Sequence, residues 1–513
     1  MSQSAAVEPV PAESHQSKSY SQILRSTAVI GASYLATIFI SMVRMKIVAL
    51  FLGPAGIGLF GIYGLVIDLA VAIAGLGVVS SGVRQISEAN GSGDRQRIGA
   101  TVAAVNGMVL ALGITGAIGL ALLSMPVALV TFGDSVHVAA IALLGLAVLF
   151  KLIGASPMTV LQGLRRTRDL AMANVALTLA GALVTVAFIV AFGEAGIAPS
   201  LVAGAAAAYV VAWLYARRAD VVRVPVLPAI RDQARPLLRL GFVFMVSTLL
   251  SVGSAYVIRI IILRTEGVHA AGLYQSAWAL AALYAGFVLQ AMGTDFYPRI
   301  TEVAQDNQTC NRLVNEQARV SLLIAGPGVI GTIALAPIVL SVFYSQLFVE
   351  AQTLLRWLAL GMMLRVVAWP MGYIVLAKGA ERPFFWTEVA AALVQVGLAA
   401  VLVPWIGIDG AGLAFVGLYV WHTLIIYLVV RRLSGFRWSA GNTLLSIIYV
   451  AATVAALGAF RVFDFHIAAA LGIVLAGATS IYSLREVVSL APEVLPGWLR
   501  RPVLRLLRAQ HSL

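Results

Sequence analysis

Six cations lie inside stretches of the chain that are otherwise apolar: Arg44, Lys46, Lys151, Arg259, Arg356 and Arg365. Four of them pair at a nearly constant separation. Arg44 and Arg259 are 215 positions apart, and Lys151 and Arg365 are 214 apart. A cation at the centre of a membrane helix costs roughly 2.5–3.5 kcal/mol on insertion scales, so such residues usually face a partner or a polar cavity. Arg44, Arg259, Lys151 and Arg365 are therefore the candidate binding residues, placed to line a cavity for an anion. Ser33, Thr37 and Ser41 share one helical stripe with Arg44, as their steps of four, four and three require. Snorkelling to the interface is the competing account for Arg44 and Arg259, and it also bears on Lys151, some five residues from a helix end. It is hardest for Arg365, thirteen residues from both Gln352 and Lys378. Lys46 and Arg356 have no cationic counterpart and read as interfacial. Asp68, Asp295 and Glu388 are the acids that either pair with a cavity cation or carry a proton or Na⁺, with an interfacial place favoured for the last two. His422 reads as a packing residue. Gln275, Gln290 and Gln395 suit sugar hydroxyls or neighbouring helices equally.

These residues need membrane helices to position them. Hydrophobic residues make up 60% of the 513 and charged residues only 11%, with a mean hydropathy of +0.94. A soluble domain carries about 25% charged residues. Apolar runs of the ~20 residues needed to cross a bilayer recur throughout, and an all-α integral membrane protein of about fourteen transmembrane helices is expected. The one cysteine, Cys310, excludes an internal disulfide and a thiolate metal cluster. No HExxH, Walker A or GxSxG pattern stands in a fitting context. The reading is a non-enzyme with no catalytic residues, no metal and no cofactor.

Loop charge supports this helix count. With the N-terminus in the cytoplasm, 27 of the 35 lysines and arginines fall in cytoplasmic loops or tails, and only Arg264 and Arg461 fall on the opposite side. That is the positive-inside pattern, with both termini cytoplasmic. The formal charge of +13 thus reflects topology and attraction to anionic lipids, and excludes nucleic acid as the main partner.

The chain also repeats itself. RMKIVALFLGPAGIGLFGIY, from Arg44, is answered by RIIILRTEGVHAAGLYQSAW, from Arg259. Gly193 and Gly196 fall on Gly407 and Gly410, and Pro157-Met158 on Pro370-Met371. Such offsets mark a duplicated unit. Each copy holds six crossings, an even number, so the two copies run parallel. The expected organisation is a disordered cytoplasmic N-terminus (1–19), an N-lobe (20–218) and a cytoplasmic linker (219–239). A C-lobe (240–432), helices 13 and 14 (433–488) and a basic amphipathic cytoplasmic tail (489–513) follow.

The stretch LGPAGIGLFGIY after helix 1, the half-repeat, and YIVLAKGAERPFFWTEV around helices 10 and 11 resemble the lipid-linked oligosaccharide flippases. These are the O-antigen and enterobacterial-common-antigen type, in the multidrug/oligosaccharidyl-lipid/polysaccharide exporter superfamily. The resemblance covers roughly residues 20 to 432. It implies a V-shaped bundle of two six-helix lobes in the bacterial inner membrane, with helices 13 and 14 as an addition. It also implies transport of undecaprenyl-diphosphate-linked glycan to the periplasmic leaflet, near polysaccharide-assembly membrane proteins. A diphosphate suits the four paired cations, because guanidinium forks onto phosphate oxygens and ammonium acts as a point charge. A proton or sodium gradient is the expected drive. The alternatives are a lipid II flippase, a multidrug/cation antiporter of the same superfamily, and a membrane glycan polymerase. The antiporter would want an acidic, aromatic cavity for cationic drugs, and the polymerase a large periplasmic loop.

Overall fold

The computed structural model describes residues 13–219, 221–222, 224–292 and 296–490, with side chains from 31 onward except a few around 284–291 and at 490. Asp295 and the tail from 491 lie outside the described residues, and so does the side chain of Gln290. Every regular element among the described residues is helical, because a lipid-facing backbone must satisfy its polar groups within its own segment. In the first half these are α1 (Glu13–Ala74), α2 (Val78–Ser92), α3 (Arg95–Leu122) and α4 (Ser124–Thr131), then α5 (Val138–Gly163), α6 (Thr167–Phe192) and α7 (Ile197–Ala216). The second half begins with α8 (Val226–Ala291), α9 (Tyr297–Glu302), α10 (Asn307–Ala334) and α11 (Ala336–Phe343). It ends with α12 (Gln352–Ala377), α13 (Glu381–Ile406), α14 (Asp409–Ser434), α15 (Ala440–Val462) and α16 (Phe465–Leu490).

Eleven stretches among the described residues are long and apolar enough to cross a membrane. Three have double length, Gly31–Ala74, Thr167–Ala216 and Val226–Leu283. They turn at Gly53, at the 3-10 turn Gly193–Gly196 and at Gly267. Fourteen crossings result, and the chain is a multi-pass membrane protein.

Helix boundaries reproduce the duplication. α5 and α12 are both 26 residues long and start 214 positions apart, as do α6 and α13. α3 and α10 are both 28 residues long at an offset of 212, and the eight-residue α4 and α11 keep that offset. The turning glycines match too. Gly53 and Gly267 have φ of 62° and 85°, and Gly193 and Gly407 have 57° and 67°. Only glycine adopts this backbone without strain. Asp94 caps α3 by accepting from the Arg97 amide, and Asp306 caps α10 by accepting from the amides of Gln308 and Thr309. Bonds from Thr309 hold the Asp306 carboxyl below its ordinary pKa. The constant offset across α5 and α12 also corrects one alignment. Pro157 and Pro370 stand one residue out of register, not on equivalent positions.

Packing divides the chain into two compact units, neither of them continuous. Among the described residues, one holds those up to Ile47 with those of Ile67–Val127 and Val136–Val246; the other holds Val48–Val66, Ala128–Ser135 and those from Ser247. The expected lobes are thus repeat boundaries, and packing follows another line. Within the second unit, the turn after Gly53 lies against its own repeat counterpart. A Cβ at Gly272 would lie 1.7 Å from the Pro54 carbonyl oxygen, and one at Gly58 would lie 2.3 Å from that of Val268. Arg264 donates to the carbonyls of Leu129 and Val130, and Tyr256 bonds Thr131. These contacts draw segments of the first copy into the second unit.

Two further expectations change. Residues 226–239 of the expected linker form the start of α8, where Pro228 occupies a first-turn position that needs no N–H. Ala229 and Leu237 bury against Ala104 and Val105, while Arg231, Arg235 and Arg239 recur at steps of four on another face. At the N-terminus, α1 begins at Glu13, inside the segment expected to be disordered; its Ser, Gln and Lys residues are compatible with helix.

Helices 13 and 14 are α15 and α16. They pack on α10 and α12 within the second unit. Arg319 pairs with Glu486, Asn442 donates to the Asn315 carbonyl at 2.6 Å, and the Tyr449 ring covers Gly326. Arg356, expected at the interface, is only 5% exposed. Its guanidinium lies 3.6 Å from the Phe460 ring centroid and donates to the Ile333 carbonyl at 3.2 Å. It fastens α12 to α10 and α15.

Candidate functional site

Four helices of the second unit line a cavity of about 310 Å³ with both polar and apolar walls. α8 supplies Arg259 and, after its turn at Gly267, Tyr274 and Trp278. α12 supplies Arg365 and Trp369, α13 supplies Glu388 and Gln395, and α14 supplies Phe415, Tyr419 and His422. The spacings are those of single helix faces: four for Arg365 and Trp369, seven for Glu388 and Gln395, four and three along α14. Ala391 and Ala392 also line the space, and their small side chains leave it open.

Two of the four candidate cations therefore share one cavity. Arg259 is 7% exposed and donates from Nε and Nη2 to Gln275 Oε1 at 3.1 and 2.6 Å. It also lies 5.5 Å from the Tyr274 ring centroid. The Arg365 guanidinium lies 4.1 Å from the centroid of Trp369 and 5.8 Å from that of Tyr419. Stacking of this kind holds a planar cation in low dielectric without neutralising it. The buried Arg365 Nε has no hydrogen-bond partner among the described residues.

Glu388 shares the cavity with Arg365. Lys151 and Asp68 form an ion pair with each other in the first unit, each side chain nearly half exposed. Arg44 lies half-buried on α1, also in the first unit. Gln275, open between two uses in the sequence, orients Arg259. The His422 ring has its Nδ1 buried without a partner among the described residues, so packing alone does not account for it.

Sequence reasoning missed the aromatic lining. Tyr274, Trp278, Phe415, Tyr419 and His422 form a ladder, with successive centroids 6.1, 5.0, 5.0 and 5.8 Å apart. Arg259 lies over the ring at one end, and Arg365 over that of Tyr419 near the other. An aromatic four residues after Arg365, and another pair four apart on α14, were the available signal.

Comparison with known proteins agrees with this architecture. Residues 23–304, more than half of the chain, match the family described as polysaccharide biosynthesis protein. The chain belongs to that family. It is 20% identical over 409 residues to the lipid III flippase of Escherichia coli K12, which spans 78% of this chain and 97% of that relative. The Shigella flexneri protein of the same name matches equally. Among solved structures, the lipid II flippase MurJ in an inward closed conformation aligns with a TM-score of 0.68 at 12% identity, covering 90% of this chain and 100% of that one. A multidrug resistance MATE family transporter of the MOP superfamily, inward-facing, aligns with a TM-score of 0.65 at 17% identity, covering 79% and 95%. These likenesses show that the chain shares the fold of these transporters. The relatives are flippases and transporters by name, in line with a family member that makes and breaks no bonds.

Proposed function

We propose that this protein flips an undecaprenyl-diphosphate-linked oligosaccharide, an O-antigen or related repeat unit, across the bacterial inner membrane. Movement runs from the cytoplasmic to the periplasmic leaflet by alternating access, with both termini cytoplasmic. The observation that carries the reading is the pair Arg259 and Arg365 on one intramembrane cavity, one held by Gln275 and the other stacked on Trp369. Both guanidiniums are oriented before any ligand arrives, which reduces the ordering cost of binding an anion. A diphosphate supplies acceptors for guanidinium N–H groups, including one for the partnerless Nε of Arg365. Arg44 and Lys151, in the first unit, are further proposed anion contacts of the first copy. Glu388 is the acid whose charge opposes the anion in the cavity, and Asp68 does the same for Lys151. The names of the relatives support a lipid-linked glycan over a drug. Two arginines against one glutamate argue against a cationic drug as the cavity's ligand.

The test is reconstitution into vesicles with a fluorescent diphosphate-linked glycolipid. Arg365→Ala and Arg44→Ala are each expected to abolish flipping while leaving membrane insertion intact. Wild-type rates in both variants would remove the headgroup role from these residues.

A further inference from the structure

The start of α8 carries three arginines on one exposed ridge. Arg231, Arg235 and Arg239 follow one another at steps of four, and all three are exposed. The next step of four is Val243, 64% exposed, beside Phe242 at 58%. The other side of the same turns is dry. Ala229 and Leu237 are buried against Ala104 and Val105 of α3, and a Cβ at Gly107 of α3 would meet Val226 and Ile230. Like charges one turn apart on a helix repel. None of the three arginines forms an ion pair or a side-chain hydrogen bond among the described residues, although Asp232 lies exposed beside them. Arginines elsewhere take a carboxylate about one turn away: Arg84 takes Glu88, Arg166 takes Asp169 and Arg312 takes Glu316. Docking alone does not call for the ridge. α10 is the repeat counterpart of α3, and α15 packs on it. The exposed side of α15 is nevertheless apolar, with Leu444, Ile447 and Val454 outward.

We infer that the ridge from Arg231 to Val243 is a docking surface for anionic phospholipid of the bilayer, with the arginines on lipid phosphates and Phe242 and Val243 along the adjoining acyl chains. The order of side chains along the ridge is that of a lipid, charge first and hydrocarbon next. Guanidinium binds phosphate oxygens through paired N–H groups, and basic segments beside membrane helices gather anionic lipid. Arg231 and Arg239 are about 12 Å apart along the helix axis, which suits the separate phosphates of neighbouring lipids. A lipid-linked diphosphate concentrates its charge within one turn, and none of these arginines lines the cavity that holds Arg259 and Arg365. Lipid docking on α8 is independent of what that cavity carries.

The experiment places a bimane label at Val243→Cys in a Cys310→Ser background. The full chain is reconstituted in phosphatidylcholine vesicles containing brominated phosphatidylglycerol or brominated phosphatidylcholine, whose bromines quench the label on contact. The dependence of quenching on bromolipid fraction gives the relative affinity of the surface for the two lipids. A preference for phosphatidylglycerol of at least about fivefold is expected, the effect of one arginine near anionic lipid. It is expected to fall close to one in Arg231→Gln/Arg235→Gln/Arg239→Gln. Arg239→Gln, one turn from the label, reads the same fall should the triple variant fail to insert. A label at Ile447→Cys on α15 is expected to show no preference. Equal quenching by the two lipids at Val243, a preference that survives the substitutions, or one as large at Ile447 overturns the lipid surface. So does relief of the phosphatidylglycerol quenching by undecaprenyl diphosphate equimolar with the protein, which would assign the ridge to the diphosphate-linked lipid.

Discussion

The contact between Gly272 and the Pro54 turn gives the sharpest mechanical prediction. A methyl carbon added at Gly272 would sit 1.7 Å from the Pro54 carbonyl oxygen and 2.9 Å from the Gly58 nitrogen, where ordinary contact begins at 3.4 Å. The opposing atoms are backbone, so no rotamer change relieves the clash. The two repeat-related turns must separate by about 1.7 Å, the difference between those distances. Overpacking of this kind costs roughly 1–3 kcal/mol. In an alternating-access transporter that penalty falls on the state in which the turns touch, and it shifts the equilibrium about 5- to 150-fold toward states in which they do not. The assay is crosslinking between cysteines placed at Ala55 and Ala271, in a Cys310→Ser background, with Gly272→Ala added. Crosslinking is expected to slow at least fivefold, with flipping altered in step. Gly253→Ala is the control, since no atom lies within 4 Å of a Cβ there. Unchanged crosslinking and transport in Gly272→Ala would refute the claim that this contact closes one state of the cycle.

Three further variants probe the site and its supports. Gln275→Ala removes the oxygen that takes two N–H groups of the 7%-exposed Arg259; it is expected to cost ~1–3 kcal/mol in thermal stability and to weaken diphosphate-lipid binding. Arg356→Ala loosens α15 from α12 through loss of the Phe460 stack, at roughly 2 kcal/mol, read as a lower melting temperature and as faster proteolysis between α14 and α15. Glu388→Gln removes the negative charge that competes with the anion for Arg365. Binding of undecaprenyl diphosphate is expected to tighten several-fold, and stimulation of flipping by a proton gradient to disappear; a variant that keeps that stimulation would show that Glu388 is not the coupling acid.

Which features the sequence revealed follows from how far apart their partners lie. The fourteen crossings were legible because a bilayer demands long apolar runs, and the breaks fell on glycines such as Gly53 and Gly193, where a positive φ is local chemistry. The duplication was legible for the same reason, though matching Pro157 to Pro370 by residue type put that pair one step out of register. The prolines of residues 219–239 suggested a linker. Only packing against α3 shows that Pro228 starts a helix and that Leu237 is core. Arg356 looked interfacial because Phe460 and the Ile333 carbonyl are 104 and 23 positions away. The cavity that Glu388 and His422 share with Arg365 was not legible for the same reason, since nothing near them in the chain indicates it.

Equivalent positions in a duplicated protein need not remain equivalent in charge. Lys151 is neutralised by Asp68, whose counterpart at the 214 offset is Ala282. Arg365 instead lies over the Trp369 ring and 5.8 Å from the centroid of Tyr419, with Glu388 on the same cavity. An anion approaching Lys151 must therefore displace a carboxylate already bound to it, whereas Arg365 has no carboxylate ion pair among the described residues and its buried Nε lacks a hydrogen-bond partner there. The first exchange returns little net energy; the second adds charge-assisted hydrogen bonds. Under the proposed headgroup role, an anion is expected to engage Arg365 more readily than Lys151.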